Sequence, residues 1–246
     1  MEIRKFKKLK DGTYDIELDN GSLINVYEDL ILKYDLLLSK QLAEEKIAKI
    51  NAENLYYECY YVALKYLRKC AHSESEVKKF LLSKGFNDDC IKKSLEKLNK
   101  EGYLNDERYA DSFVNLKIST TTEGPLKIKN ELEQKNIKIE YIKNALRTYT
   151  KEIEQEKIAT IVTKIQKSNH NKSTKALHQK CQSLLISQGF DRELIEEGMV
   201  FFKVNDEDIQ KKEYEKLYKK LSRKYQGTEL ELQIRKRMYA KGFYTN

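Results

Sequence analysis

The chain has 246 residues, 35% of them charged and 40% hydrophobic, with a single proline, Pro125, and a formal net charge of +8. No apolar run approaches the roughly 20 residues of a membrane-spanning helix, the N-terminus has no signal-peptide core, and Cys59, Cys70, Cys90 and Cys181 share no CxxC spacing. Composition therefore points away from membrane and disulfide-stapled classes, toward a cytosolic protein of long helices with charged faces and free thiols.

The first fifty residues differ from the rest. Tyr14–Leu18 and Ser22–Tyr27 alternate in polarity around Asp19-Asn20-Gly21, a strong hairpin signal because Asn-Gly accepts positive φ. A strand within Ile3–Leu9, turned at Asp11-Gly12, would complete a three-stranded meander. So small a sheet needs a helical partner, and Leu30, Ile31, Leu32, Leu36, Leu37 and Leu38 are available to supply it. From Ser39 to Lys69 the pattern reads as helix, either one long element or two with a break near Asn51.

Beyond this lies a hidden repeat. LLSKGF (81–86), LEQKNI (132–137), LISQGF (185–190) and MYAKGF (238–243) align, and Gly85, Asn136, Gly189 and Gly242 are separated by 51, 53 and 53 residues. Four and eight positions before each lie apolar residues on one helical face: Leu81 and Val77, Leu132 and Ile128, Leu185 and Cys181, Met238 and Ile234. Gly or Asn then takes the left-handed conformation that stops a helix, and Phe86, Ile137, Phe190 or Phe243 folds back on its last turn. Ile91 and Leu95, Ile142 and Leu146, and Ile195 and Met199 begin the next face. Helix starts agree with these stops. Ser73 and Glu76 match a capping box, Asn105 precedes acidic Asp106 and Glu107, and Gly124-Pro125 suits a first helical turn. Asn205-Asp206 repeats the cap before the last long helix.

These signals predict a mainly α chain of tandem three-helix repeats forming an elongated curved rod, with a small N-terminal β-meander module. The expected boundaries are a β module with a short helix at 1–38, a connecting helix at 39–55, repeats at 56–104, 105–150 and 151–204, and a partial repeat at 205–246.

Within the repeats, ALKYL (63–67), SESEV (73–77), LLSKGF (81–86), GYLNDERYADSFV (102–114) and Gly124-Pro125 leading to KIKNELEQKNI (127–137) resemble the RecX family. The stretch at 102–114 is the most specific, and the resemblance weakens beyond about residue 150. Lys69 and Cys70 stand where members often carry two arginines, and Asn136 where glycine is usual. The resemblance implies a modular helical regulator that binds RecA nucleoprotein filaments, inhibits ATP hydrolysis and strand exchange, and in many members binds single- or double-stranded DNA. No enzymatic activity and no cofactor are expected, because no catalytic or cofactor-binding motif is found in the chain.

The residues themselves show no phosphate-binding glycine loop, dinucleotide fingerprint, zinc-protease pair or serine elbow. His178 and Cys181, three apart, with His170 as a third ligand, would be a metal site one donor short, so ordinary core and polar roles are expected. Residues 1–55 hold 9 Lys/Arg against 11 Asp/Glu, so the basic excess lies in the remainder. It marks either an anionic partner or a solvated surface. Candidate contacts for a filament or DNA are Lys127, Lys129, Arg147, Arg223, Lys224, Arg235, Lys236 and Arg237, with the helix start at Gly124-Pro125 offering backbone N–H groups to phosphate. Residues 203–246 hold 12 Lys/Arg against 7 Asp/Glu. Tyr109 and Phe113 are expected in the core. A helix-turn-helix DNA binder and a protein-interaction solenoid remain as alternatives, although Asn87-Asp88-Asp89 and Asp191 give acidic starts that phosphate repels. The chain is expected to be a monomer with no membrane association.

Overall fold

The computed structural model describes residues 1–9, 12–167, 173–200, 202 and 207–243. Strands β1 (Ile3–Lys8), β2 (Thr13–Leu18) and β3 (Leu23–Tyr27) form an antiparallel meander in the order β1-β2-β3. Helices α1 (Glu28–Lys33) and α2 (Glu44–Leu67) follow. Then come α3 (Glu74–Ser83), α4 (Asp88–Lys100), α5 (Asp106–Thr120), α6 (Pro125–Gln134) and α7 (Ile139–Leu146). The chain ends in α8 (Lys151–Lys167), α9 (Thr174–Ser187), α10 (Arg192–Met199), α11 (Glu207–Leu221) and α12 (Gly227–Ala240). It divides into two compact units: Met1–Tyr109 with Lys135–Ile137, and Ala110–Gln134 with Lys138–Asn246. No described helix is long and apolar enough to cross a membrane.

In the first unit the β2–β3 turn forms where the sequence signals it. Gly21 has φ +82°, its N–H donates to the Leu18 carbonyl, and Leu18 N–H donates to Ser22, closing a short hairpin. Asp11 and the residue before it lie outside the described residues. Ile16 and Leu18 of β2 and Ile24 and Val26 of β3 point to one face and pack on Leu30, Ile31, Leu36, Leu42 and Ile50. Of the apolar residues expected to cover the sheet, Leu32, Leu37 and Leu38 are instead exposed, because α1 lasts barely two turns and turns only Leu30 and Ile31 inward.

The sheet's partner is chiefly α2, which runs 24 residues without a break at Asn51, about 36 Å. It begins at Glu44, later than the helical pattern suggests, because the preceding backbone is used elsewhere. Ile3 N–H donates to Lys40, and Met1 and Leu42 exchange hydrogen bonds along the sheet. Asn54 of α2 blocks the open edge of β3 by donating to the Asn25 carbonyl and accepting from Tyr27 N–H. Such plugs prevent edge-to-edge pairing. Tyr27 stacks on Tyr61 at 4.7 Å, Tyr61 donates to Asp29, and Lys97 of α4 pairs with Asp29 while lying over the Tyr60 ring. The sheet is therefore fastened to the helices by α2 and α4 together.

The cap positions adopt the predicted geometry. Gly85, Asn136, Gly189 and Gly242 all have positive φ, from +58° at Asn136 to +87° at Gly85. Phe86, Phe190 and Phe243 N–H groups donate to Leu81, Leu185 and Met238, the six-to-one bond of a Schellman cap. The face residues Val77, Leu81, Ile128, Leu132, Cys181, Leu185, Ile234 and Met238 are all buried. Core clusters form separately around Cys59–Leu104, Ile158–Phe202 and Leu217–Phe243. The three-helix repeat is thus present. The Ser73–Glu76 capping box closes in both directions, and Asn105 accepts from Arg108 N–H. Asn205-Asp206 lies outside the described residues.

On α5 the core face is shifted by one residue from the expected one. Ala110 and Val114 are buried, while Tyr109 and Phe113 are half-buried, their rings facing the ammonium groups of Lys135 and Lys117. His178 packs edge-on against Phe202, and Cys181 is a core residue whose thiol pKa burial pushes up. His170 lies outside the described residues.

Candidate functional site

Three of the stretches that carry the family resemblance, at 73–77, 102–114 and 127–137, meet in one place within the first unit. Ser73 caps α3, and Glu76 closes the box by accepting from Ser73 N–H. Asp106, at the start of α5, accepts from Glu74 N–H at 2.9 Å, and Glu74 in turn accepts from Asn99. Two orphan donors at the start of α3 are thereby satisfied by acidic side chains at the positive end of its dipole.

The turn 135–137 closes over the same helix start. Lys135 Nζ pairs with Glu76, Ser73 Oγ donates to the Lys135 carbonyl, and Asn136 donates to Ser75 Oγ at 2.8 Å. Burial pushes the Glu76 carboxyl up, but Lys135 and the Ser73 N–H outweigh it and hold the group below the usual carboxylate range. Burial lowers the Lys135 ammonium pKa, yet Glu76 and Tyr109 raise it on balance. Asp106 and Tyr109, from the most specific stretch of the resemblance, therefore serve this joint.

The same relation recurs twice within the second unit. Gly124 N–H donates to Gln188 and Leu126 N–H to Gly189, so the start of α6 rests on the cap after α9. The approach is close: a Cβ on Gly189 would lie 2.4 Å from Lys127 N, and one on Gly124 would lie 2.6 Å from Gly189 backbone. Ser173, which caps α9, donates to the Lys241 carbonyl beside the cap at Gly242, and Lys241 pairs with Glu213.

The basic residues singled out from the sequence are not equivalent. Lys127 pairs with Glu123 at 2.8 Å, and Lys129 faces Glu133 at 3.6 Å. The Gly124-Pro125 start, expected to offer N–H groups to phosphate, has two of them committed to Gln188 and Gly189. Glu123 adds negative charge there. Burial pushes its carboxyl up, but Lys117 and Lys127 more than compensate and hold it low. Arg147 is exposed at the end of α7, and Arg223 and Lys224 are exposed in the α11–α12 connection.

Arg235, Lys236 and Arg237 are exposed on α12, whose core face is Leu230, Ile234 and Met238. At 100° per residue Lys236 points opposite that core, beside Leu232 and Tyr239, which are 51% and 67% exposed. Sequence reasoning missed the neighbouring face of α11. There Tyr214 and Tyr218 are exposed and stacked at 6.3 Å, among exposed Lys211, Lys212, Lys219 and Lys220. Their spacing of four mimics a core stripe, but Glu213, Leu217 and Leu221 take that stripe instead. Among the described residues no group of three His, Cys, Asp or Glu side chains converges as a metal site.

A meander fastened to helices, followed by three-helix repeats with a recurring joint at helix starts, defines a repeat-built helical class. The profiles of the first and second RecX three-helix domains match residues 59–98 and 105–146. The chain is 31% identical to Regulatory protein RecX of Leuconostoc citreum over 94% of this chain and 89% of that protein. With Regulatory protein RecX of Streptococcus agalactiae it shares 30% identity, covering 99% and 95%. A crystal structure of regulatory protein RecX superposes with a TM-score of 0.70 at 29% identity, covering 79% of this chain and 97% of that one. RecX from Lactobacillus salivarius gives 0.56 at 28% identity, covering 60% and 96%. The chain belongs to the RecX family of regulatory proteins.

Proposed function

We propose that this protein is an inhibitory regulator of a RecA recombinase, which binds the RecA–DNA filament and modulates strand exchange, recombination and DNA repair. The observation that carries the reading is similarity to proteins named Regulatory protein RecX over nearly the whole chain. Near-equal repeats suit a long periodic partner, since each can present like helix ends to successive subunits. The exposed basic and tyrosine-bearing faces of α11 and α12 add a surface for the phosphates of filament DNA.

Lys127 and Lys129, already paired within α6 and its approach, are secondary contacts in this reading, and α12 is the principal one. A base-reading helix-turn-helix role is disfavoured. Asn87 and Asp191 use their side chains to cap α4 and α10, and acidic residues follow each cap. DNA-dependent ATP hydrolysis by the cognate RecA, measured as the chain is titrated in, tests the proposal.

A further inference from the structure

The connection between α2 and α3 holds a group of side chains that the regulatory reading leaves unused. Cys70 is exposed, whereas Cys59, Cys90 and Cys181 are buried. Its Sγ lies 3.2 Å from Nε2 of His72, and the other ring nitrogen, Nδ1, lies 3.7 Å from Oε2 of Glu76. The imidazole is clamped in this orientation. It stacks on Tyr66 with centroids 3.9 Å apart, and Tyr66 stacks on Phe80 at 4.0 Å. Glu76 is held ionised by Lys135 and the Ser73 N–H, against the effect of its burial. The titratable and charged groups around the ring are therefore Cys70 from the connection, Tyr66 from α2 and Glu76 from α3. Lys135 and Tyr109 stand behind Glu76.

Thiol, imidazole and carboxylate stand in the order in which a base is offered to a nucleophile and its conjugate acid is held by an anion. The sulfur is at the surface, where a small reagent can reach it. We propose that Cys70, His72 and Glu76 form a thiol-exchange site for low-molecular-weight disulfides. His72 Nε2 takes the Sγ proton, giving a thiolate beside an imidazolium that Glu76 stabilises. The thiolate attacks one sulfur of the disulfide, so one S–S bond forms as the other breaks. The displaced sulfur leaves as a thiolate and takes the proton from His72. The products are a mixed disulfide at Cys70 and one free small thiol.

An aromatic disulfide whose released thiolate is coloured reports the reaction directly on the reduced full-length chain. One fast equivalent per chain is expected, and Cys70→Ser abolishes it. An ordinary thiol of pKa about 8.5 is only about 1% ionised at pH 6.5, so His72→Gln is expected to slow the fast phase about tenfold there. The two rates should converge near pH 9.5. If His72→Gln proves misfolded by circular dichroism, the wild-type pH profile decides. A fast-phase rate that stays high well below the ordinary thiol value of about 8.5 supports the site, and a single inflection at that value overturns it. Equal rates for wild type and His72→Gln at pH 6.5, or a fast phase that survives Cys70→Ser, also overturn it.

Discussion

Lys135 and Glu76, 59 positions apart in the chain, form an ion pair that locks the turn 135–137 onto the first turn of α3. Both side chains are about one-quarter exposed, so the pair is screened less than a surface bridge without being isolated from water. A double-mutant cycle with Glu76→Ala and Lys135→Ala is expected to give a coupling of about 1 kcal/mol in urea denaturation. Simple additivity of the two losses would show that the pair contributes nothing.

Acid should loosen both this joint and its counterpart at Glu123. The carboxyls of Glu76 and Glu123 are held below their ordinary range in the folded chain. A lowered folded pKa means stability that is present above the unfolded value and is lost as pH falls through the folded one. The thermal midpoint should therefore drop on acidification below the ordinary glutamate value, about 4.3, and drop less steeply in Glu76→Gln/Glu123→Gln. Parallel curves for the two proteins would refute this assignment.

Two glycines with nearly the same φ separate backbone strain from close approach. Gly85, at φ +87°, has open space where a Cβ would stand, whereas a Cβ on Gly189, at φ +82°, would meet Lys127 N at 2.4 Å. Gly85→Ala should cost about 1 kcal/mol, from left-handed backbone alone. Gly189→Ala should cost at least about twice that, because the start of α6 must move as well. Equal costs in chemical denaturation would mean that the α6–α9 contact is not tight.

Arg235, Lys236 and Arg237 make no ion pair among the described residues and are exposed, so reversing them should leave the fold intact. Arg235→Glu/Lys236→Glu/Arg237→Glu should weaken binding to single-stranded DNA. The slope of log affinity against log salt should fall by about 2, at roughly 0.7 for each phosphate that is no longer neutralised. An unchanged slope with unchanged circular dichroism would place the DNA-binding surface elsewhere.

The repeat was legible because its determinants are local. Gly85 and Asn136 declare their caps by residue type, and Val77 with Leu81 declares a buried face by spacing alone. The joint was not legible. Ser73 with Lys135, and Gly124 with Gln188, are contacts between residues more than sixty positions apart, and no periodic pattern records which cap meets which helix start. The same limit hid part of the fate of Lys127: its pairing with Glu123 four residues earlier is a local signal, but its contact with Gln188 is not. Tyr214 and Tyr218 drew no notice in the sequence because aromatic residues four apart look like core, yet the buried stripe of α11 runs one position earlier through Glu213 and Leu217.

The regulatory assignment is tested most directly by titrating the full chain into DNA-dependent ATP hydrolysis by RecA of the same organism, at fixed salt and fixed DNA. Hydrolysis is expected to fall when the chain is still well below one copy per RecA protomer, because a filament-bound regulator acts on more than the subunit it touches. Hydrolysis that stays constant up to equimolar chain would contradict the account.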